Sequence, residues 1–400
     1  MRFVRKLAPL ALSAVLLAAC GGGDPYVPGS GSPSGAPTTQ GSFSAVVSFG
    51  DSLSDVGAYT PATAIPGLAT VGGKFTTNSA SGTVWVENLA TSLGLLITPG
   101  EVGFNGQSLK CPAAASPNPV VAASCTGYGQ GGARVTDPNG IGRDPATGLG
   151  ALTVPVVTQI ANHLAQFGSF KSSDLILVYA GNNDVFVQFS AFAAQAAAIQ
   201  AQAGSGAITA DQANAALFQA QSEAQAAMKQ AAIELGGYVK TQILAKGGKY
   251  VAVMTLSDIG DTPFGNSPQV APAKTVLTDL SRIFNLWLRE SLTGQPVQIV
   301  DTFALFKAVA ADPAQYGFVN NTLPACDATK IATITGGQVT DGSSLFCNST
   351  AGAIYNTLRD TPLVGDATTW FFADSVHPTT GGHKAISDTI EAQLRAFGWI

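Results

Sequence analysis

The sequence predicts an α/β fold built on a parallel sheet that is covered on both faces. Apolar, β-branched runs at residues 45–49, 174–179, 250–256 and 297–300 are separated by segments with helical periodicity. Runs that are apolar throughout, rather than alternating, are what strands buried on two sides require. Two of these runs break directly into polar segments, Gly50-Asp51-Ser52 and Gly181-Asn182-Asn183-Asp184. Open α/β sheets carry their sites beyond the strand C-termini, so both segments fall where chemistry is expected. With 400 residues, 46% of them hydrophobic and 11% charged, the chain suffices for one large domain. A net charge of −5 gives no indication of a nucleic-acid partner.

From the N terminus, Arg2, Arg5 and Lys6 precede an apolar run over residues 7–19. That run is short for a membrane span and right for the core of a signal peptide over residues 1–19. Residues 20–41 hold Cys20 and a Gly, Pro, Ser and Thr-rich stretch without periodicity, which predicts a flexible spacer averaging roughly 25 Å end to end. The main domain is expected over residues 42–400, with no second apolar run of membrane length.

The first strand run ends in Gly-Asp-Ser, which holds Ser52 just past the sheet edge after a sharp turn. A hydroxyl is a poor nucleophile unless a base takes its proton, which directs attention to the three histidines. His163 lies among Val157, Ile160, Leu164 and Phe167 at helical spacing and reads as a surface or boundary helix residue. His383 follows Gly381-Gly382 and opens the last helical pattern, without a carboxylate at useful spacing. His377 alone has an acid three residues before it, Asp374, close enough for a short turn to bring the carboxylate onto the ring nitrogen facing away from the serine. The plain alternative is a turn in which Asp374 caps backbone N–H groups and Pro378 ends a loop.

Between residues 186 and 246 lies an Ala and Gln-rich stretch, broken at Gly204-Ser205-Gly206, with Thr209 expected to cap a helix beginning near Ala210. Phe186, Phe189 and Phe192 recur there at three-residue spacing. They suit either a cover that lines an acyl pocket or a helical hairpin packed on the sheet flank. Setting Cys20 aside, Cys111, Cys125, Cys326 and Cys347 form an even set that allows three pairings. Cys111 with Cys125 and Cys326 with Cys347 is expected, because each pair brackets one loop; such a bridge contributes about 3 kcal/mol in the chain-entropy model. No Cys-x-x-Cys and no clustered histidines point to a metal.

Taken together, these residues resemble the SGNH, or GDSL, hydrolases, which carry four short blocks in fixed order. Ser52 in Gly50-Asp51-Ser52-Leu53-Ser54-Asp55 matches the family nucleophile. Tyr128-Gly129-Gln130-Gly131-Gly132-Ala133 is similar to the second block, whose glycine N–H helps hold an oxyanion; Gly132 is the choice, with Gly131 next. Gly181-Asn182-Asn183-Asp184 matches G-x-N-D, whose Asn, here Asn183, is another oxyanion donor. Asp374-Ser375-Val376-His377 matches the fourth. The resemblance implies a flavodoxin-like three-layer α/β/α sandwich with a helical insertion and a Ser52-His377-Asp374 triad. It also implies an oxyanion hole from Ser52, Gly132 and Asn183, and no cofactor. The implied activity is esterase or lipase-type ester hydrolysis through an acyl-enzyme. A phospholipase or lysophospholipase A, an acyltransferase, or a polysaccharide or polyester esterase are the alternatives, and a non-enzymatic surface-binding module is the rival of another class.

Lys74-Phe75-Thr76, Val84-Trp85-Val86-Glu87-Asn88-Leu89-Ala90 and Leu256-Ser257-Asp258-Ile259-Gly260-Asp261-Thr262-Pro263 look like stretches in relatives of glycerophospholipid:cholesterol acyltransferases, thermolabile haemolysins and secreted bacterial esterases. Ala58 and Gly127 depart from that pattern, where Asn is frequent. Leu17-Ala18-Ala19-Cys20 resembles the bacterial lipobox, which implies a lipidated Cys20 and an outer-membrane lipoprotein, Gly21 following the cysteine. Ordinary secretory cleavage near Ala18 and Ala19 is the alternative.

Overall fold

A computed structural model describes residues 37, 39–63, 72–350, 352 and 355–400. The expected signal peptide, Cys20 and most of the spacer lie outside the described residues. Among the described residues six strands follow in chain order: β1 (Ala45–Gly50), β2 (Glu101–Phe104), β3 (Gln107–Lys110), β4 (Asp174–Tyr179), β5 (Tyr250–Met254) and β6 (Gln298–Val300). β1, β4, β5 and β6 lie side by side in that order as one parallel sheet, with Ala45 opposite Asp174 and Gly50 opposite Tyr179. At the free edge of β1 the chain forms a parallel bridge between Ser48 and Gly127. There Ser48 N–H donates to Thr126 O at 2.9 Å and Tyr128 N–H to Ser48 O at 2.8 Å. The Tyr128 to Ala133 block is thereby led off the same end of the sheet as Ser52.

The helices are α1 (Trp85–Ser92), α2 (Pro119–Ala122), α3 (Val156–Phe167), α4 (Asn182–Gly204), α5 (Ala210–Tyr238), α6 (Lys274–Ser291), α7 (Thr302–Ala311), α8 (Ala328–Ile334) and α9 (Thr380–Ala396). The two-residue period of a strand sends alternate side chains to opposite faces. Val47, Phe49, Ile176, Val178, Val251 and Val253 pack on one face with Ile160 of α3, Leu235 of α5 and Phe284 of α6. Val46, Leu175, Leu177, Ala252 and Met254 pack on the other with Trp85 and Leu89 of α1, Leu305 of α7 and Ile390 of α9. Each such Val, Leu, Ile, Phe or Met side chain, fully buried, contributes roughly 1.5–3 kcal/mol. Three layers result, the expected α/β/α sandwich around a parallel sheet.

The Ala and Gln-rich region is a helical pair. α4 runs without a break from the Gly181 turn, and Thr209 caps α5 by accepting from Gln212 N–H at 3.2 Å. α5 lies against α6, in the helical layer over the sheet. Phe189 is interior, and Phe186 and Phe192 are partly buried against the same core. The β2–β3 hairpin had no counterpart among the expected elements. The disulfides join Cys111 to Cys125 and Cys326 to Cys347, the expected pairing.

One expectation is overturned. His163 is not at the surface: it is 2% exposed and sits among Phe49, Tyr128, Phe167 and Phe170. The aromatic cluster supplied by β1 and the Tyr128 segment covers a position that helical periodicity alone places at the boundary. Burial pushes its imidazole down to about 4, so it stays neutral.

Candidate active site

Ser52 opens a tight turn immediately after β1. Gly50 is required there by close approach, since a Cβ would lie 2.2 Å from Tyr179 O of β4. Gln159 of α3 locks the strand end, accepting from Gly50 N–H at 2.9 Å and donating to Gly50 O at 2.8 Å. Asp51 Oδ1 accepts from Leu53 N–H at 3.1 Å and so caps the turn that presents Ser52.

The Asp374–His377 segment meets this turn from the far end of the chain. His377 Nε2 lies 2.8 Å from Ser52 Oγ, and His377 Nδ1 lies 2.8 Å from Asp374 Oδ2. The loop is wound around its own carboxylate: Asp374 Oδ1 accepts from Val376 N–H at 2.9 Å and His377 N–H at 2.8 Å. Ser344 N–H, from a distant loop, donates to Oδ2 at 2.8 Å. One carboxylate thus caps backbone N–H groups of its own loop and also meets the His377 ring, so the two sets of contacts do not exclude each other.

Burial alone would raise the Asp374 carboxyl, but the His377 ring and the N–H donors outweigh it and hold the group well below the usual carboxylate range. Burial would lower His377; the charge and hydrogen bond of Asp374 overcome this and raise it. The Phe75 ring covers the imidazole, centroids 4.9 Å apart, and limits its access to water.

The other two blocks join the strand end and turn that carry Ser52, Gln130 N–H donating to Gly50 O at 3.3 Å and Asn182 Nδ2 to Asp51 Oδ2 at 3.0 Å. Gly131 N–H is taken by Asp55 Oδ2 at 2.9 Å, whereas Gly132 N–H has no acceptor among the described residues. That difference favours Gly132 over Gly131 as a donor. Gly132 has φ +79°, and a Cβ there would lie 2.0 Å from Ile141 O, so the position admits glycine only. The Asn183 side chain donates one N–H to Ala133 O at 2.9 Å, which orients the amide and leaves its other N–H free of acceptors among the described residues. Asp184 binds Arg134 Nε at 2.9 Å and Val135 N–H at 3.0 Å, tying the start of α4 to the loop after Gly132.

His383 makes no contact with Ser52. Its Nδ1 accepts from Trp85 N–H at 3.3 Å and its Nε2 lies 3.2 Å from Phe75 O, and burial pushes it down to about 3. It supports the backbone of the residue whose ring covers His377. Phe186 and Phe189 meet Phe264 edge-on, and Phe264 N–H donates to Ser375 O at 2.8 Å. Sequence reasoning missed Ser344, because a main-chain N–H leaves no residue-type signal. It also missed the roles of Phe75 and Phe264, although both fall in or beside stretches whose likeness to known esterases was noted.

A curated protein of Pseudomonas putida, described as an uncharacterized protein in the trpE-trpG intergenic region, is 30% identical to this chain over 165 residues. The match covers 39% of this chain and 23% of the relative, so the chain spans less than a quarter of that protein's length. The family model for GDSL-like lipase/acylhydrolase matches residues 46–390, from the first core strand into the last helix. By that match, spanning every segment that reaches the Ser52 turn, the chain belongs to the GDSL-like lipases and acylhydrolases, whose common reaction is the hydrolysis of esters.

Proposed function

We propose that the protein hydrolyses carboxylic esters through an acyl-enzyme on Ser52. The observation that carries this reading is the unbroken chain from Ser52 Oγ through His377 to the Asp374 carboxylate. His377 Nε2 takes the Ser52 proton as Oγ attacks the carbonyl carbon. The charge that develops on the carbonyl oxygen is met by the N–H groups of Ser52 and Gly132 and the free N–H of Asn183, donors fixed before the reaction begins. His377 then gives the proton to the departing alcohol, leaving the acyl group on Ser52. Water enters and His377 takes one of its protons as the water oxygen attacks the acyl carbon; when the acyl–Oγ bond breaks, His377 returns that proton to Ser52 Oγ, the acid leaves and both groups are restored. Asp374 holds the tautomer with its proton on Nδ1 and stabilises the imidazolium formed twice per cycle. No step calls for a cofactor.

The stretches at residues 74–76, 84–90 and 256–263 support a place near the acyltransferase, haemolysin and secreted-esterase subgroup. Lys74 and Glu87, from the first two of these, form an ion pair at 2.7 Å beside the Phe75 loop. Export, with anchoring through a lipidated Cys20, is part of the same proposal, and two disulfides support an oxidising compartment. Mass analysis of the mature N terminus tests it, by the presence or absence of a diacylglyceryl group on Cys20.

The deciding experiment on function is turnover of p-nitrophenyl esters from acetate to palmitate by the mature chain and by Ser52→Ala. Loss on the order of 10⁶-fold in the variant is expected for removal of a triad nucleophile. A variant that retains turnover would remove Ser52 from the mechanism.

A further inference from the structure

Ser52 stands on the turn that leaves β1, and Asn183 at the start of α4, just beyond the end of β4. The sheet ladder between those strands ends at the Gly50 and Tyr179 pair, short of both groups. Beyond it, Asn182 Nδ2 donates to Asp51 Oδ2 at 3.0 Å. Asp51 immediately precedes Ser52, and Asn182 immediately precedes Asn183. The other oxygen of Asp51 is already committed to the Ser52 turn through Leu53 N–H. A single carboxylate therefore shapes the nucleophile turn with one oxygen and grips the neighbouring turn with the other.

Packing alone gives no reason for either residue. Asp51 is fully buried, and burial drives its carboxyl up to about 6 against the hydrogen bonds from Asn182 and Leu53. Asn182 is 7% exposed, and its Oδ1 is buried without a hydrogen-bond partner. An apolar side chain would avoid both costs, so what Asn182 supplies is its bond to Asp51, and what Asp51 supplies is that bond together with the cap on the Ser52 turn.

Resting on the serine-hydrolase reading above, we propose that Asp51 and Asn182 act as a clamp that sets the spacing and orientation of the Ser52 nucleophile relative to the Asn183 oxyanion donor. Both are positioning residues, since neither meets the substrate. The chemistry makes such a device worthwhile: Oγ must reach the carbonyl carbon while the amide N–H meets its oxygen, and a misplacement near 1 Å costs roughly 10²-fold in rate.

The test compares Asn182→Ala, Asn182→Asp and the exchange Asp51→Asn/Asn182→Asp, in which the donor moves to position 51 and the acceptor to 182. Turnover of p-nitrophenyl butyrate is measured beside the rate at which a fluorophosphonate labels Ser52 by intact mass. In that labelling Oγ bonds to phosphorus, fluoride leaves and His377 accepts the proton. Both single variants are expected to lose roughly 10- to 100-fold in kcat and in labelling rate, with KM within about threefold of the parent. The exchange variant is expected to recover at least about tenfold over Asn182→Asp, because coupled neighbours are not additive. Circular dichroism supplies the folded fraction; where Asn182→Asp fails to fold, Asn182→Ala and the exchange variant decide.

Singles that keep the parent kcat, losses that track the folded fraction, or an exchange variant no better than Asn182→Asp would overturn the clamp. Ser52→Ala, run in parallel, separates the two claims. If it is inactive while Asn182→Ala is normal, the clamp alone falls; if it retains turnover, the serine reading falls and takes the clamp with it.

Discussion

Replacing Asp374 with Asn changes one atom of a carboxylate whose two oxygens are both heavily used. Oδ1 accepts the N–H groups of Val376 and His377 and lies 3.0 Å from His377 Nδ1, and Oδ2 accepts Ser344 N–H and lies closer to His377 Nδ1, at 2.8 Å. The amide nitrogen of Asn has to occupy one of these places, and in either it points hydrogen at N–H donors. If it takes the Oδ2 place, it opposes Ser344 N–H and offers a hydrogen to His377 Nδ1 at the shorter of the two contacts, which favours the tautomer with the proton on Nε2, where the ring can no longer accept from Ser52 Oγ. If it takes the Oδ1 place, it leaves two main-chain donors of the loop unmatched. Each buried donor stranded in this way costs about 1–3 kcal/mol. The Oδ2 orientation is the cheaper, so the variant folds with the imidazole in the wrong tautomer. A loss near 10⁴-fold in kcat follows, with KM little changed. The parent also sets the pH expectation. Because Asp374 raises His377, which must be neutral to act as base, kcat/KM is expected to climb through one ionisation above about pH 6.5. In Asp374→Asn that limb should move to lower pH. Steady-state kinetics on p-nitrophenyl butyrate across pH 5–9, with melting curves as a folding control, read both effects. An Asp374→Asn enzyme within about tenfold of the parent kcat would refute the assigned role of the carboxylate.

Four further outcomes follow from the same geometry. Gly132→Ala must leave φ +79° or push Ile141 O away, so it is expected to lower the melting temperature and to cost roughly 10²-fold in kcat by moving the oxyanion N–H; unchanged kcat would point the donor role elsewhere. Opening Cys326–Cys347 by a double Ser substitution should cost about 3 kcal/mol and also reduce kcat, because Cys347 closes the loop that carries Ser344, and Cys326 N–H donates to Ala373 O beside Asp374. Opening Cys111–Cys125 should lower stability with less effect on kcat, which chemical denaturation and kinetics together would show. Asp55, pushed from its ordinary 3.8 to about 6 by burial against three backbone hydrogen bonds, binds its proton more readily folded than unfolded. Its contribution to stability is therefore full below pH 3.8 and lost as pH rises through 6, a change on the order of 3 kcal/mol. Melting curves of Asp55→Asn against the parent from pH 4 to 7 test the sign: the parent should lose stability relative to the variant as pH rises.

By itself the sequence determined the sheet and the identity of the candidate groups. Strands buried on both faces have to be apolar throughout, so β1, β4, β5 and β6 announce themselves as runs, and the turns that leave them carry Ser52 and Asn183. Asp374 and His377 are legible because a three-residue separation lets a turn join them, and Thr209 because a cap hydroxyl before a helical pattern is a local signal. The tertiary structure alone decided the rest, for one physical reason: those interactions join main-chain groups or residues remote in sequence. Ser344 N–H reaches Asp374 through a loop fixed by a disulfide, and Asp55 takes the N–H of Gly131 and so leaves that of Gly132 available. His163 is covered by aromatic rings from β1 and the Tyr128 segment. Asp51 meets Asn182 only because β1 and β4 are neighbours in the sheet. Periodicity and spacing describe one segment at a time; which backbone donor is spent and which is left free depends on what the fold brings beside it.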